Sequence, residues 1–353
     1  MPYYCGSKTD YLLWLADKLF NWKEKKLYKT IKQRLSADDF DIIFCSSFNL
    51  FPLLTAKRLC EEWNKPMVVD LRDISEQWGK NNYTYIKRGL KTGNTWFNSI
   101  IANLYIQHSV AKRNNVLKQA SAVTTISPWH KQLLGQINPN THLIYNGYDE
   151  QTFTAQNKVN NKFIITYTGK IYNFNFHDPQ LLFSALALIQ EKYHLPDIEL
   201  HFYCEDEIHG QLIKLAHESG IEKITHIHSY VSSSQILEII HNSSICLILT
   251  CKSTEDGSHG IMTTKFFEAL GVEKPVLCVP SDEECLAQVI EETNAGVAAK
   301  TIEEVQSFIL DKYHEWQQNG FTRQKVNQSQ KALFSRQRQA EQFMNIFNNL
   351  IKQ

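Results

Sequence analysis

Several patterns that mark secreted, zinc-binding or membrane-spanning proteins are missing from this sequence. The eight cysteines are scattered, without a C-x-x-C pair, and most lie in apolar runs. This indicates reduced core residues rather than a disulfide framework or a zinc site. No charged segment followed by an apolar one opens the chain, so we predict no signal peptide. The longest apolar stretches, such as Ile245 to Leu249, are far too short to span a bilayer.

The chain also lacks a net charge, because 37 lysines and arginines balance 37 aspartates and glutamates among its 353 residues. A zero total normally argues against a polyanionic partner. The total hides a division, since residues 1–155 carry 20 basic and 13 acidic side chains and the rest carry 17 and 24. The basic excess is concentrated in Lys18 to Arg34 and in Lys80 to Lys118, which contains no Asp or Glu. The length predicts two domains, and the charge indicates that their partners differ.

Short apolar and β-branched runs alternate with longer helical patterns, which is typical of parallel strands joined by crossover helices. The runs that predict strands are Phe40–Cys45, Pro66–Leu71, Ala122–Ile126, His142–Tyr145, Phe163–Thr168, Ile198–Cys204, Ser244–Thr250 and Pro275–Val279. Continuous apolar runs fit strands covered by helices on both faces, so each half is predicted to be a doubly wound α/β sheet. The polar stretch Gly147 to Asn161 is the predicted linker. The first clear strand begins only at Phe40, although a doubly wound domain usually opens with a strand.

The segment from Thr250 to Val279 contains the most informative candidate site. It predicts a strand end, a glycine-containing loop and a helix that opens at Thr263 or Thr264. Ligands of open α/β sheets bind at the carboxyl ends of strands, where a helix N-terminus presents free N–H groups to an anion. Lys265 lies in the first helical turn, where a cation costs roughly 0.3–1 kcal/mol unless an anion compensates it. The segment therefore predicts an anion site.

Two further groups of residues extend this candidate site: Glu268 on the same predicted helix, and Gly169 with Lys170 after another predicted strand. Glu268, one turn after Lys265, could accept hydrogen bonds from vicinal hydroxyls such as those of a ribose; the alternative is an i,i+3 surface pair with Lys265. Gly169 and Lys170 end another predicted strand, where glycine allows a close approach and lysine offers a charge for phosphate. The alternative for Lys170 is an ordinary solvated lysine.

Charged residues also end a buried strand in the first half of the chain. Asp70, Arg72 and Asp73 lie within VVDLRDISEQW, where three charges at a strand end are candidates for substrate hydroxyls or a diphosphate. The alternative is a structural Arg–Asp pair that caps the next helix.

The remaining polar candidates are weaker. His259 and His177 could contact an acceptor or a phosphate, but with thirteen histidines in the chain a solvated loop position is the simpler interpretation. No His/Asp/Glu cluster has metal-ligand spacing along the sequence, so no tightly bound metal is expected. Ser127 lacks the G-x-S-x-G pattern of a nucleophile elbow and is predicted to be a helix cap.

Aromatic and basic residues interleave in the first half of the chain. In the first stretch the aromatic and apolar residues are Trp14, Leu15, Leu19, Phe20 and Trp22, and the lysines between and beside them are Lys18, Lys23, Lys25 and Lys26. In the second stretch the aromatic and apolar residues are Trp96, Phe97, Ile100 and Ile101. Such helices favour an anionic membrane surface, where each cation adds about 1 kcal/mol. The alternative is a core-facing stripe with solvated lysines. No nucleic-acid-binding module is found, so no nucleic-acid partner is expected.

Taken together, the motifs VVDLRDISEQW, AVTTIS, LIYNGYDEQTF, ITYTGKIY and TTKFFEALGVEKPVLCV, in this order, resemble the GT-B glycosyltransferases. The similarity is to family 4-like bacterial enzymes of surface polysaccharide synthesis, and it extends over nearly the whole chain. It implies two Rossmann-like domains that face a cleft, with a nucleotide-sugar donor held mainly by the second domain.

The resemblance also implies roles for individual residues. Gly169 and Lys170 match the pair that contacts the donor diphosphate, and Glu268 matches the glutamate that holds the donor ribose. Thr263, Thr264 and Lys265 match the phosphate-facing start of a helix. Tyr230 and Val231 fall where the family's backbone contacts the base, and Arg72 and Asp73 match the acceptor-side Arg-Asp, which we predict to be catalytic.

Two departures from the family pattern stand out. Gly260, with His259 beside it, replaces the acidic residue expected eight positions before the ribose glutamate; we nevertheless include both in the predicted donor site. The family's first strand and its glycine-rich loop have no counterpart before Asp10. This predicts either an N-terminally shortened enzyme or impaired activity.

The predicted organisation is an acceptor-side domain at 1–155, a nucleotide-sugar-binding domain at 156–325 and a C-terminal helix at 326–353 that crosses back to the first domain. The predicted activity moves a hexose, with retention at the anomeric carbon, to a glycan or lipid-linked acceptor in cell-surface polysaccharide synthesis. The donor is a substrate, so no cofactor is expected. The expected location is cytoplasmic or peripheral on the inner membrane face. A non-catalytic GT-B paralogue that acts as a binding subunit is the alternative.

Overall fold

The computed structural model describes residues 20–48, 50–79, 95–254 and 257–352, without the side chains of 95–103 and 105. It divides the chain into two compact units. One contains the described residues up to Ile144 together with those from Gln342 onward, and the other extends from Tyr145 to Glu341. The predicted domain limits at 155 and 325 stay predictions.

The first unit is built around a parallel four-stranded sheet in the order β1-β2-β3-β4. Its strands are β1 (Ile43–Ser46), β2 (Met67–Leu71), β3 (Ala122–Thr125) and β4 (Thr141–Leu143). Every residue of β2 and β3 is buried. This is why both segments are continuous runs rather than alternating ones, with apolar or β-branched residues at every position except Asp70.

In the described part of the first unit, four helices precede or connect these strands: α1 (Trp22–Arg34), α2 (Leu53–Trp63), α3 (Thr95–Leu117) and α4 (Pro128–Gly135). Short 3-10 turns occur at Ala37–Asp39 and Ser75–Trp78. The Ser127 side chain accepts a hydrogen bond from the backbone N–H of His130 at the start of α4. The predicted role of Ser127 as a helix cap is therefore confirmed.

The second unit contains a parallel six-stranded sheet in the order β10-β9-β8-β5-β6-β7. Its strands are β5 (Phe163–Thr168), β6 (Ile198–Tyr203), β7 (Thr225–His228), β8 (Ile245–Leu249), β9 (Val276–Val279) and β10 (Gly296–Ala298). The chain runs outward from β5 through β6 to β7, and then returns to the other side of β5 as β8. The sheet therefore reverses its direction of growth between β5 and β8.

Within residues 145–254 and 257–352, eight helices follow the strands of the second unit or end the chain. They are α5 (Gln180–Tyr193), α6 (His209–Glu218), α7 (Ser233–Asn242), α8 (Thr264–Gly271), α9 (Cys285–Thr293), α10 (Ile302–Asn319), α11 (Gln328–Lys331) and α12 (Arg336–Ile351). The main core lies between one face of the sheet and α5 with α10, where Phe163 contacts Tyr313 and Trp316 at ring-centroid distances of 5.3 and 6.1 Å.

The C-terminal segment is not the single helix over 326–353 that the sequence predicted. It consists of α11, a 3-10 turn at Ala332–Phe334 and then α12. The change from the second unit to the first occurs within α12, after Glu341. Beyond that point Phe343 and Phe347 lie 5.5 and 5.6 Å from Phe44 of β1, so the end of α12 packs on the first sheet.

Among the described residues, no helix combines the length and the apolar character that a membrane crossing requires.

A buried histidine makes the stability of the first unit sensitive to pH. His130 is 0% exposed, and its Nδ1 lies 3.2 Å from the hydroxyl oxygen of Thr125. That hydroxyl donates to the carbonyl of Leu71, so Nδ1–H of a neutral imidazole is the donor to Thr125. Burial, with a further contribution from Arg113, lowers the pKa of His130 to about 4.

We expect the free energy of unfolding to fall as pH drops from 6.5 towards 4. Within this window the unfolded chain protonates His130 while the folded chain keeps it neutral, and at pH 4.5 the difference amounts to about 2 to 3 kcal/mol. Urea unfolding should be measured at pH 7 and at pH 4.5. Between these two pH values the free energy of unfolding of His130→Gln should fall less than that of the wild type, and the difference should equal this amount. The exposed His217→Gln serves as the control, and equal losses in His130→Gln and the wild type would contradict the prediction.

Candidate functional site

The predicted anion site lies where the second sheet reverses its direction of growth. Strands β5 and β8 are parallel neighbours, with Ile165 opposite Ile245 and Thr166 opposite Cys246. Their carboxyl ends therefore open at the same edge of the sheet. Such a switch point is the usual ligand position of an open α/β sheet, because the loops on its two sides diverge and leave a crevice.

Gly169, directly after β5, allows a lysine from the other side of the switch point to approach. Its φ is +117°, and a Cβ atom added to it would lie 2.6 Å from Cε and 3.0 Å from Nζ of Lys265. The Lys265 ammonium also lies 5.1 Å from the ring centroid of Tyr167. A side chain at position 169 would thus clash with Lys265, and a glycine fits both the backbone angle and the space.

Lys265 is half-buried in the first turn of α8. In the part of the chain that the structure describes, its ammonium makes no hydrogen bond or ion pair, and its contact is with the face of Tyr167. Burial lowers the pKa of Lys265. A desolvated cation at the positive end of a helix is unfavourable by itself, so this arrangement fits an anionic ligand.

The start of α8 offers further donors to such an anion. Thr263 is the N-cap residue, but its side chain does not cap the helix, and no other described side chain caps it. The first backbone N–H groups of a helix have no partner within it, and here they include those of exposed Thr264 and of Lys265. Close by, a cavity of about 10 Å³ is lined by Thr166, Thr168, Ser243 and Lys265 among others; it has room for one water, so a diphosphate would lie at the open edge.

Glu268 does not pair with Lys265. Neither side chain forms an ion pair or a side-chain hydrogen bond among the described residues, so the alternative of an i,i+3 surface pair is not what the structure shows. Burial raises the pKa of Glu268, although the charges of Lys265 and Arg336 oppose this shift. The half-buried carboxylate remains available to accept hydrogen bonds from a ligand.

Lys170 is held more loosely than Lys265. Its ammonium lies 3.8 Å from Glu205 Oε1 and 5.2 Å from the ring centroid of Tyr172, and its side chain is 43% exposed. Its backbone carbonyl accepts a hydrogen bond of 2.8 Å from the Tyr167 hydroxyl. The structure therefore places Lys170 beside the switch point as a surface lysine with a distant acidic partner.

His259 and Gly260 belong to the loop after β8, and both bind the same carboxylate. Glu284, in the segment after β9, lies 2.9 Å from Nδ1 of His259 and accepts a 2.7 Å hydrogen bond from the backbone N–H of Gly260. Ser253 donates to the same carboxylate at 3.3 Å. The sequence analysis did not identify Glu284, because this residue lies in a different loop. Its contact with His259 shows that His259 is not a solvated loop histidine.

His177 is also not a solvated loop residue. Its Nδ1 is buried without a hydrogen-bond partner among the described residues, and its ring lies 5.7 Å from that of Tyr172. Burial, together with the nearby positive charge of Lys265, lowers the pKa of His177 to about 3. A neutral His177 therefore adds no positive charge beside Lys265.

Tyr230 and Val231 follow β7 at the edge of the second sheet. Tyr230 is 65% exposed and Val231 is half-buried. Strand β6 separates β7 from β5, so these two residues lie two strands away from Gly169 and Lys170.

In the first unit, Arg72 pairs with Asp70 after β2. Its Nε donates to Asp70 Oδ2 at 2.9 Å and its Nη1 donates to the carbonyl of Ile144 at 3.0 Å. Buried Asp70 also accepts hydrogen bonds from the hydroxyls of Thr124 and Ser46. Arg72 and Asp70 thus form an Arg–Asp pair, as the structural alternative predicted, but among the described residues this pair does not cap the next helical turn.

Asp73 is exposed and serves the following 3-10 turn. Its Oδ1 accepts a 2.8 Å hydrogen bond from Gln77 Nε2, while Gln77 Oε1 accepts from the backbone N–H of Ile74. The predicted catalytic pair is thus divided between two networks, and Asp73 is the member that solvent can reach.

The sequence matches no protein-family model and no curated protein sequence. Its structure is similar to HepE of Anabaena in complex with UDP, with a TM-score of 0.64, 14% sequence identity, 92% of this chain and 82% of HepE covered. It is also similar to sucrose-phosphate synthase of Thermosynechococcus elongatus, with a TM-score of 0.64, 13% identity and coverage of 93% and 78%. The chain has the GT-B fold.

The predicted fold class, α/β with two Rossmann-like GT-B domains, is therefore confirmed. The predicted loss of the first strand concerns residues 1–19, which lie outside the described part of the chain. A protein assigned as UDP-N-acetylglucosamine 2-epimerase from Listeria monocytogenes is similar as well, with a TM-score of 0.51, 13% identity and coverage of 91% and 77%. The GT-B fold is thus shared by different activities, and the site residues have to distinguish them.

Proposed function

We propose that this chain is a glycosyltransferase whose donor is a nucleoside diphosphate sugar bound at the switch point of the second unit. The observation that carries the proposal is the Lys265 ammonium, half-buried at the N-terminus of α8, against Gly169, and without a polar partner among the described residues. A diphosphate supplies the negative charge that this position lacks.

In this function Lys265 and the first N–H groups of α8 stabilise the diphosphate as it leaves the sugar. Negative charge develops on the leaving group in the transition state, so fixed donors in a partly desolvated site act where the charge grows. Lys170 contributes a second cation once the diphosphate replaces its distant contact with Glu205. These groups supply the positive charge, and the proposal requires no resident cofactor or tightly bound metal.

The finer assignments rest on the sequence resemblance and on the exposure of single residues. Glu268 binds the ribose hydroxyls, and Tyr230 with Val231 contacts the base. Asp73 meets the acceptor, a glycan or a lipid-linked glycan of cell-surface polysaccharide synthesis, while Arg72 is a positioning residue held by Asp70. The transferred sugar is a hexose, and its anomeric configuration is retained.

We further propose that the first unit binds an anionic membrane surface on the cytoplasmic side. Phe20 is 64% exposed and Trp22 47%, and α1 carries lysines beside them, so both described aromatics are accessible at the surface, which supports the proposal. The other members of the pattern lie outside the described residues or side chains: Trp14, Leu15, Lys18, Leu19, Trp96, Phe97, Ile100 and Ile101.

A thermal-shift panel of UDP, GDP, ADP and CMP tests the proposal. We expect UDP to raise the melting temperature most, since the similar HepE structure contains UDP. Glu268→Ala should weaken the affinity for the stabilising nucleotide by about 10-fold to 100-fold, because a ribose loses charge-assisted hydrogen bonds. The exposed Glu303→Ala, on α10, is the matched control.

Two outcomes contradict the proposal, one in this thermal-shift panel and one when the protein is incubated with the nucleotide sugar alone. If no nucleotide changes the melting temperature, the chain is a non-catalytic GT-B binding subunit. One observation favours this alternative: the Gly260 N–H donates to Glu284 and is therefore not open to a ligand. If the nucleotide binds but its sugar is epimerised without an acceptor, the chain is an epimerase. Transfer of the sugar to a glycan acceptor separates the proposed function from both.

A further inference from the structure

A group of histidines lies on one face of two neighbouring strands, away from the switch point. Glu199, His201 and Tyr203 alternate along β6, opposite to its buried apolar residues. His226 and His228 alternate in the same way along β7, which forms the edge of the sheet. In the parallel register His201 is opposite His226 and Tyr203 is opposite His228. The pairing of the strands therefore gathers five polar and aromatic side chains on one half-buried face.

The rings of this group are held in place by one another. Nε2 of His201 lies 2.9 Å from Glu199 Oε2, and its Nδ1 lies 3.1 Å from Nε2 of His228. The ring centroid of His201 is 4.7 Å from that of His226. The His228 ring stacks on Tyr203 at 4.5 Å. His201 is thus fixed at both nitrogens, between a carboxylate and a second imidazole.

We propose that Glu199, His201 and His226 form a binding site for a divalent transition-metal ion, with Zn²⁺ as the ion that fits best. One ligand atom from each of the three side chains lies within 4.8 Å of the others. Two imidazoles and one carboxylate are a common ligand set for Zn²⁺. At Zn²⁺–ligand distances of about 2.0–2.2 Å the ligand atoms stand roughly 3.3 Å apart, so small side-chain rotations close the site.

His228 orients the ligand His201 rather than binding the ion. A metal-bound imidazole usually donates its other N–H to a neighbouring group, which fixes the ring and its tautomer. Nδ1 of His201 faces Nε2 of His228 at 3.1 Å, which is the distance of such a hydrogen bond. Without metal, Nε2–H of His201 donates to Glu199, and Nε2–H of His228 donates to His201 Nδ1.

Metal binding reverses this hydrogen-bond chain without a net loss of protons. The ion takes the position of the proton on His201 Nε2, and that ring then carries its proton on Nδ1 and donates it to Nε2 of His228. His228 in turn carries its proton on Nδ1. All rings stay neutral, and Glu199 contributes the one negative charge that partly balances the ion.

The site would fasten the edge strand to the sheet. Glu199 and His201 belong to β6 and His226 belongs to β7, so the ion links neighbouring strands through side chains. Bound metal is therefore expected to raise the melting temperature of the second unit by mass action. The proposed nucleotide site at β5 and β8 does not use these residues, so the two proposals can be tested separately.

The test is isothermal titration of the full-length chain, free of any affinity tag, with ZnCl₂ and with MgCl₂. We expect one Zn²⁺ per chain with a micromolar dissociation constant and no heat from Mg²⁺, which prefers oxygen ligands. His226→Ala should weaken Zn²⁺ binding by about 100-fold or more, and Glu199→Gln, which keeps the side-chain volume, by about 10-fold or more. His217→Ala, at an exposed histidine of α6, should bind as the wild type does.

Substitution with Co²⁺ identifies the ligand type. The expected spectrum shows visible ligand-field bands without the thiolate charge-transfer absorption that cysteine ligands produce. The proposal is overturned if no Zn²⁺ binds, if Co²⁺ shows thiolate absorption, or if His226→Ala and Glu199→Gln bind Zn²⁺ with unchanged affinity. Circular dichroism of both variants shows whether a loss of binding reflects a loss of the fold, and a folded variant that loses Zn²⁺ supports the site.

Discussion

Replacing Lys265 by methionine is expected to lower kcat/KM for the nucleotide-sugar donor by about 100-fold to 1,000-fold, the cost of removing one fixed donor from developing negative charge. Methionine keeps most of the volume of the side chain against Gly169 and Tyr167. The substitution therefore removes the charge and little of the packing. Both kcat and kcat/KM should fall, because the charge on the diphosphate grows in the transition state.

The same substitution should leave the stability of the protein unchanged or slightly higher. Within the described residues the Lys265 ammonium has no ion pair that folding would lose, and burial lowers its pKa, which shows that the folded state disfavours its charge. Loss of activity without loss of stability is what distinguishes a ligand-binding lysine from a structural one.

Steady-state kinetics and thermal denaturation of the same preparations check this prediction. Lys214→Met is the matched control, since Lys214 lies on α6 with a side chain that is 76% exposed and a surface pair to Glu218 at 3.7 Å. If Lys265→Met retains wild-type kcat/KM, Lys265 does not bind the leaving diphosphate.

The second large effect is expected at Glu273, which follows α8 and binds the segment before α12. Glu273 is 6% exposed. It accepts hydrogen bonds from Arg323 Nε at 2.9 Å, from Gln328 at 2.9 Å and from Lys331 at 3.0 Å. Burial alone would raise the pKa of Glu273, but the hydrogen bonds from Gln328, Arg323 and Lys331 outweigh it and lower the pKa to about 2.

Glu273→Gln is expected to reduce the free energy of unfolding at pH 7 by about 2 to 3 kcal/mol, because it removes the charge from the hydrogen bonds of buried Glu273 and leaves Lys331, whose side chain is 12% exposed, without its counter-charge. The lowered pKa makes the contribution of Glu273 fully present above pH 4.5 and progressively lost as pH falls towards 2. The difference in the free energy of unfolding between the wild type and Glu273→Gln should therefore become smaller as pH falls from 4.5 to 2.

Urea unfolding at pH 7 and at pH 3 measures both parts of this prediction. Glu238→Gln is the matched control: its side chain is 75% exposed and its ion pair with Lys158 spans 3.5 Å, so we expect a loss below about 1 kcal/mol. Equal losses for the two variants at pH 7 would show that the Glu273 cluster does not hold the segment.

The strands that the sequence predicted and those that it missed differ in their place in the sheet. All eight predicted strands are present, with shifts of a few residues at their ends. The two missed strands, β7 and β10, are the edges of the six-stranded sheet, and all their residues are only partly buried. An edge strand needs no continuous apolar run, so the signal that reveals central strands is absent from it.

In the candidate site the sequence likewise predicted the positions of single residues but not which side chains contact each other. Strand ends and glycines placed Gly169 and Lys265 at carboxyl edges, because these signals are local. The sequence did not determine the partners: Arg72 binds Asp70 rather than Asp73, and Glu284 binds Gly260 and His259 from another loop.

The sequence by itself determined the doubly wound α/β sheets and the segments that end at their carboxyl edges, because apolar runs and helix starts depend on neighbouring residues. Only the tertiary structure decided which charged and polar groups meet. Lys265 lies against Gly169, and His201 lies beside His226, because strand order and register bring together residues that are distant in the chain. Such pairings leave no periodicity in the sequence.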